Sequence, residues 1–285
     1  MDRLKKLLFV FLLLAVIRVN CAGAEEFGRI TVNWVNQELN ITGTGYIIPG
    51  ERGNYIQWQH EAAQRAKADL IRNFILSMYL LRLDAYLFAS DLMKLEPERN
   101  DPVYNYISNE KKLAVQYTDN TVVLRTNLPF YGMNGLASLL IDAGADTGNF
   151  PVHEGYVFST NFTGVVIDAR GLGREPAFAP RIFDEDHREV YSIALMAEES
   201  FKRWGAVQYT DDPFYTGFEE RVGENPARFV ALRNDNLIKT DISLSNDDVN
   251  ILLQNDVTKY NLTEGRVIII IDKVIVKSTE MRSKI

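Results

Sequence analysis

Apolar residues recur every three or four positions between residues 55 and 78, which predicts one long amphipathic helix. The stripe consists of Trp58, Ala62, Ala63, Ala66, Leu70, Phe74 and Ser77 or Met78. Its first turns carry alanine and its later turns carry large apolar residues. Because small side chains let a helix approach a sheet closely, we expect this helix to lie across β-strands.

Around this helix, short segments rich in β-branched and aromatic residues are typical of strands. The predicted strands of this first part are residues 29–34, 44–48, 113–118 and 121–128. The last two flank Asp119 and Asn120, which predicts a hairpin turn. Residues 80–95 are predicted to be extended, whereas 103–112 and 136–141 are predicted to be short helices.

The second part of the chain also mixes strands and helices. Residues 164–169 and 266–276 predict buried strands, and 179–183 with 188–192 predict a hairpin around Asp184-Glu-Asp-His187. Helices are predicted over 200–207 and 246–255. The predicted fold class is therefore α+β: a long alanine-rich helix packed on a small antiparallel sheet, followed by a second mixed α/β lobe.

Glycine, aspartate and proline gather between residues 142 and 155, which favours a linker. We therefore predict one domain over residues 25–150 and a second over residues 151–285.

The segment before residue 25 has the three parts of a secretory signal peptide. Arg3, Lys5 and Lys6 give a basic start, residues 7–17 are apolar, and Ala22-Gly-Ala24 offers a small-x-small cleavage site. The apolar run is much shorter than the roughly 20 residues of a membrane-spanning helix. We expect residues 1–24 to be cleaved after export and the chain to work in the periplasm.

Cys21 is the cysteine of the chain, and it supports an alternative interpretation. A cysteine after an apolar leader is a lipid-attachment residue in lipoproteins, which would anchor the chain to the membrane. A lipoprotein signal usually has a small residue directly before the cysteine, whereas Asn20 stands there. Cleavage after Ala24 is the preferred prediction, and it leaves no thiol for a disulfide, a nucleophile or a zinc site. An exported protein without disulfides suits a bacterial envelope.

Net charge excludes one class of partner. Without residues 1–24 the chain keeps 27 basic and 37 acidic residues, a net charge of −10. Such a chain repels phosphate backbones, so we expect no nucleic-acid partner. The same charge argues against electrostatic docking on anionic lipid, which leaves lipidation at Cys21 as the route to a membrane.

The sequence contains no recognisable catalytic or cofactor-binding motif, and two aspartates are its candidates for catalysis. His60, His153 and His187 lack a second histidine at metal-ligand spacing, so we predict no metal site. No phosphate-binding loop or nucleophile elbow is present, and no cofactor is predicted. Asp168 and Asp272 follow apolar β-branched runs, where α/β enzymes often carry catalytic carboxylates. Strand-end aspartates more often cap turns, because their carboxylates accept backbone hydrogen bonds.

Two stretches resemble known envelope proteins. Gly43-x-Gly-Tyr-Ile-Ile-Pro49 and the helix segment 57–70 resemble the family of the twenty-kilodalton membrane-associated lipoprotein and flagellar assembly proteins P and T. Gly164-Val-Val-Ile-Asp-Ala-Arg-Gly-Leu172, with residues 179–186 and 188–191, resembles uncharacterised exported proteins of spirochaetes and related bacteria. The resemblance implies a helix-on-sheet domain over residues 25–150, no enzymatic role, and assembly at the envelope, sometimes around the flagellar motor.

The expected function is therefore a non-catalytic exported envelope protein with a structural or assembly role, which associates with itself or with envelope or flagellar proteins. The alternative is a periplasmic hydrolase or glycan-binding protein that uses Asp168 or Asp272. It requires those carboxylates to meet in a concave pocket.

Overall fold

A computed structural model describes residues 29–50, 53–152, 160–214, 218–234 and 238–277. The predicted signal peptide and Cys21 lie outside the described residues. Helices and strands are interspersed in an α+β fold, which confirms the predicted class. Among the described residues, no helix is both long enough and apolar enough to cross a bilayer.

The first half contains an antiparallel sheet and one long helix. Its elements are β1 (Ile30–Asn33), β2 (Glu38–Tyr46), α1 (Tyr55–Ser77), α2 (Ala89–Leu95), a 3₁₀ turn (Pro97–Arg99), α3 (Asn100–Ser108), β3 (Ala114–Tyr117), β4 (Thr121–Pro129) and α4 (Ala137–Leu140). The long helix, the 113–128 hairpin and the helix near 136–141 are confirmed. The prediction of an extended chain over 80–95 is wrong at its end, where α2 forms.

Helix α1 begins at a capping box. The side chain of Asn54 accepts a hydrogen bond from the backbone of Gln57, whose own side chain accepts one from the backbone of Asn54. The helix buries Ala62, Ala66 and Leu70 against the sheet, on the predicted face. Alanines thus lie where the helix comes closest to β2.

The second half is built around a parallel sheet. Its elements are β5 (Val165–Asp168), β6 (Ile182–Phe183), β7 (Glu189–Tyr191), a 3₁₀ turn (Ile193–Leu195), α5 (Glu198–Trp204), β8 (Gln208–Thr210), α6 (Phe218–Val222), β9 (Ala227–Val230), β10 (Ile242–Ser243), α7 (Asn246–Leu253), α8 (Asp256–Thr263), β11 (Val267–Ile270) and β12 (Ile275–Lys277). Strands β8, β11, β5 and β9 lie side by side in that order, all parallel. β10, β6 and β7 form a separate small sheet.

Apolar runs explain the centre of the parallel sheet. All four residues of β11 are buried, as are the first three of β5, because the strands of a parallel sheet are covered on both faces. The predicted single strand over 266–276 is divided. The chain leaves β11 at Ile271, passes Asp272 and Lys273, and then forms β12 in the other sheet.

The two halves share one core. β12 pairs antiparallel with β1 and so adds the end of the chain to the first sheet, in the order β12-β1-β2-β4-β3. The Trp34 ring packs edge-on against Phe130 of the first half and Phe178 of the second, each with centroids 5.0 Å apart. The predicted boundary at residues 150 and 151 stays a prediction, and apolar contacts cross it.

Candidate functional site

Asp168 and Asp272 lie at the same edge of the parallel sheet. Asp168 ends β5, and Asp272 follows the neighbouring strand β11 by two residues. The carboxyl ends of parallel strands are the usual ligand-binding edge of α/β sheets. The topology therefore brings together two carboxylates that are more than a hundred residues apart in the chain.

Both carboxylates hold the loop that leaves β5. The Arg170 guanidinium donates to both carboxylate oxygens of Asp168, at 2.9 Å and 2.6 Å. The backbone N–H of Gly171 donates to Oδ2 of Asp272 at 2.9 Å, and Gly171 has a left-handed φ of 73°. The hydrogen bonds from Arg170 hold the pKa of the Asp168 carboxyl below its ordinary value. Asp168 therefore stays ionised at neutral pH and is poorly suited to act as a general acid.

A pocket of about 430 Å³ lies beside this loop. The segment after β5, the segment after β11 and the chain between α1 and α2 form its walls, so residues of both halves line it. The lining residues are Trp34, Tyr79, Leu80, Arg82, Phe88, Ser90, Asp91, Gly173, Arg174, Glu175, Pro176, Asp272, Lys273 and Val276. Asp272 is thus a pocket residue, and Asp168 is not among the described residues that line it.

Charged side chains of both signs surround an apolar part of the pocket. Arg82 forms an ion pair with Glu175 at 3.1 Å and lies over the Phe88 ring, 4.3 Å from its centroid. Lys239 also contacts Glu175, at 3.4 Å. The buried Arg174 donates to the carbonyl oxygen of Ile238 at 3.3 Å. This wall can bind a ligand that offers both hydrogen-bonding groups and an apolar face.

The sequence points to Asp272 but not to the other charged residues of the pocket wall. Arg82, Arg174 and Glu175 follow no spacing motif, and Arg82 meets Glu175 across 93 positions of the chain. A pair so distant in sequence forms only through the packing of the two halves. No local pattern could have identified it.

The histidines do not assemble a site. His60 is exposed on α1, and His187 is exposed in the β6–β7 turn with a φ of 62°. His153 lies outside the described residues. In the part of the chain that the structure describes, no three His, Cys, Asp or Glu side chains form a group that could hold a metal ion.

The fold and the pocket together define an α+β protein with a helix-on-sheet half, a parallel-sheet half and, between them, a mainly apolar pocket with charged side chains in its wall. Residues 164–273 match a family model described as Treponema pallidum Tp0624, second domain. This segment runs from the start of β5 through β11 and includes both Asp168 and Asp272. The second half is therefore similar to a domain of a spirochaete protein. No curated protein matches the chain.

Proposed function

We propose that this chain is a non-catalytic exported protein of the cell envelope that acts by assembling with itself or with other envelope components. One observation carries the proposal. The carboxylates of Asp168 and Asp272, the chain's best candidates for catalysis, accept hydrogen bonds from Arg170 and Gly171 of the loop after β5. Carboxylates used in this way stabilise a turn, and the Arg170 guanidinium also keeps the pKa of the Asp168 carboxyl below its ordinary value.

Similarity supports the envelope part of the proposal. Residues 164–273 match a domain from a spirochaete, and this segment contains residues 164–172, which resemble exported spirochaete proteins. The glycine strand and alanine-rich helix resemble the lipoprotein and flagellar assembly family. In the finer form of the proposal, the partners are proteins of the flagellar motor and the location is the periplasm after cleavage behind Ala24.

Co-sedimentation tests this proposal directly. The full-length protein, expressed in its native host, is fractionated with purified flagellar basal bodies and, separately, with membranes. Recovery with basal bodies in stoichiometric amount is the expected result. A protein found wholly in the soluble periplasmic fraction contradicts assembly with the motor or the membrane. A deletion strain that swims normally and keeps its envelope structures intact counts against the assembly role as well.

A Cys21→Ser variant separates the two routes to the envelope. With cleavage after Ala24, the variant fractionates as the unaltered protein does, because Cys21 leaves with the signal peptide. With lipidation, the variant is lost from membranes and the unaltered protein incorporates labelled fatty acid.

The pocket favours a second candidate function, a glycan-binding or hydrolytic protein that uses Asp272. Asp272 is one of a few charged residues in a mainly apolar pocket with aromatic side chains, a lining that suits a ligand with both polar groups and an apolar face. Under this alternative, Asp272→Asn abolishes binding or cleavage of peptidoglycan fragments while thermal stability is kept, since asparagine can still accept the Gly171 N–H. Asp211→Asn is the matched control, because Asp211 is an exposed residue directly after β8 at the same sheet edge. Equal effects of both variants contradict this alternative.

A further inference from the structure

The pocket between the two halves carries a balanced set of charges. Among the described residues, its lining contains three basic and three acidic side chains: Arg82, Arg174, Lys273, Asp91, Glu175 and Asp272. A ligand with a net charge would leave one sign in excess, whereas a ligand with one positive and one negative group keeps the balance. Charge complementarity therefore favours a zwitterion.

One positive charge is in excess beside Arg82. Its guanidinium and the ammonium of Lys239 both contact the carboxylate of Glu175, at 3.1 Å and 3.4 Å, so two cations share one anion. Within the described residues, the Arg82 side chain donates to Glu175 through Nη2, although a guanidinium has five N–H donors. The remaining donors can therefore bind a second carboxylate, one that a ligand brings.

Ser90 belongs to the same wall as Arg82. Arg82 pairs with Phe88 across an antiparallel bridge, and Ser90 follows Phe88 by two residues, in the first turn of α2. Ser90 is 6% exposed and lines the pocket, yet its hydroxyl forms no hydrogen bond with any residue that the structure describes. A buried hydroxyl without a partner costs free energy. A ligand carboxylate at Arg82 would remove this cost by bonding the hydroxyl as well.

Asp272 supplies the opposite charge on another wall. Its Oδ2 accepts the N–H of Gly171, and Asp272 forms no ion pair within the described part of the chain. Its side chain is exposed, whereas that of Arg82 is 18% exposed. An ammonium group at Asp272 and a carboxylate at Arg82 would thus contact walls built from different segments of the chain. The ligand therefore needs its two charged groups well apart.

Most of the remaining lining is apolar, with Tyr79, Phe88 and Val276 among its members. Such a surface would leave most hydroxyl groups of a sugar without partners, which is costly, but it suits apolar side chains. The volume of about 430 Å³ falls in the range of small-molecule sites. The pocket thus fits a small molecule that has an apolar body and a charged group at each end.

We propose that this pocket binds a short apolar peptide with free ends, of about the size of a dipeptide. The carboxylate contacts Arg82 and Ser90, the ammonium group contacts Asp272, and the apolar side chains pack on Tyr79 and Phe88. This inference goes beyond the proposed assembly role and does not rest on it. It also gives the pocket a different ligand from that of the glycan-binding candidate.

Isothermal titration calorimetry on the intact protein, purified from its native host, tests the proposal with leucyl-phenylalanine as the probe. We expect saturable binding of one dipeptide per chain. Two blocked derivatives test the charges, since the N-acetyl dipeptide lacks the ammonium group and the dipeptide amide lacks the carboxylate. Each should bind about tenfold more weakly, because each loses one charge-assisted hydrogen bond.

Variants of the charged residues assign each end of the ligand. Asp272→Asn should weaken binding of the free dipeptide about tenfold and leave binding of the N-acetyl derivative unchanged, because that derivative has no ammonium group to lose. Arg82→Gln should likewise weaken binding of the free dipeptide and leave binding of the amide unchanged. A variant that merely disturbs the pocket would weaken the binding of all three ligands.

Matched controls accompany these variants. Asp211→Asn removes an exposed carboxylate at the same sheet edge, and Arg99→Gln removes a 21% exposed guanidinium whose ion pairs lie outside the pocket. Ser192→Ala matches Ser90→Ala, since both serines are 6% exposed and Ser192 is not among the described residues that line the pocket. Ser90→Ala should weaken binding severalfold, and the controls should leave it unchanged. Circular dichroism and thermal melting confirm that every variant folds.

Absence of binding up to millimolar concentration overturns the inference, and so does equal binding of the free dipeptide and its blocked derivatives. Free phenylalanine that binds as tightly as the dipeptide overturns the arrangement with separated charges. Binding of N,N′-diacetylchitobiose in place of the dipeptide overturns the inference in favour of the glycan-binding candidate. None of these results bears on co-sedimentation with envelope fractions, so the proposed assembly role can survive them. Conversely, dipeptide binding with the expected variant behaviour stands even when the protein fails to sediment with basal bodies.

Discussion

Gly43 and Gly45 lie where α1 crosses β2, on the buried face of the strand. A Cβ atom added to Gly45 would overlap the carbonyl oxygen of Ala62, and one added to Gly43 would overlap that of Ala66. The alanines of α1 and the glycines of β2 are therefore both needed for the close contact, because a larger side chain on either element would fill the space between helix and strand. The alanine face that the sequence predicts for α1 thus packs directly on these two glycines.

At this residue scale we predict that Gly45→Ala lowers the free energy of unfolding by about 2–3 kcal/mol, because the helix must move away from the sheet. Urea denaturation at neutral pH measures the loss. Thr44→Ala is the control: its side chain lies on the opposite face of β2, and we expect a loss below about 1 kcal/mol. Equal losses for the two variants would show that the close approach of α1 is not what Gly45 provides.

At the scale of elements, the β6–β7 hairpin contains a fully buried carboxylate. Asp184 accepts hydrogen bonds from the backbone N–H of Arg188 at 2.8 Å and from its Nε at 2.7 Å. Burial raises the pKa of Asp184, but these hydrogen bonds outweigh it and hold the pKa below its ordinary value. The acidic run at 184–186 is thus a structural part of the turn that the sequence predicted.

We predict that Asp184→Asn costs about 2 kcal/mol of unfolding free energy at pH 7, the size of charge-assisted hydrogen bonds. Because the folded-state pKa is lowered, the unfolded state binds the proton more readily as the pH falls. The contribution of Asp184 is therefore fully present above about pH 4 and is lost at lower pH. Urea titrations should show that the difference in unfolding free energy between the unaltered protein and Asp184→Asn is smaller at pH 3 than at pH 7.

Asp186→Asn is the control for this experiment. Asp186 contacts the same guanidinium at 3.3 Å, but its side chain is 63% exposed. We expect only a small effect from it at either pH. A difference for Asp184→Asn that persists unchanged at pH 3 would contradict the role of the ionised carboxylate.

Elements with a long or regular pattern were predictable, and elements defined by distant partners were not. The stripe of α1 spans six turns, and the 113–128 hairpin has a clear turn between alternating strands, so both follow from local sequence. Helix α2 is short, and its N-cap residue is Phe88. Because phenylalanine is not one of the polar residues that usually cap a helix, the local sequence does not predict where this helix begins. Likewise, the apolar run after residue 266 looks continuous, but nothing local shows that β11 and β12 belong to different sheets. The pocket was missed for the same reason, because Arg82 and Glu175 meet only in the folded chain.

At the scale of the whole molecule, the end of the described chain binds the two halves together. Val32 of β1 pairs with Val276 of β12, and the N–H of Trp34 donates to the carbonyl oxygen of Val274 at 2.9 Å. The Trp34 ring also contacts Phe178 and Tyr209, which belong to the second half. A disturbance of β12 should therefore reach both halves through Trp34.

We predict that a chain ending at Lys273 is destabilised by about 3 kcal/mol relative to one ending at Lys277, since it loses the β1–β12 hydrogen bonds and the buried Val274. Hydrogen exchange measures the result strand by strand. Amide protection should fall in β1 and, because the core is shared, by a similar amount in β5. Loss of protection confined to β1 would show two independently stable halves, which is the arrangement expected for separate domains divided near residue 150. A matched fall in both strands would show one cooperative unit, in which the first sheet and the pocket beside β11 belong to the same folded body.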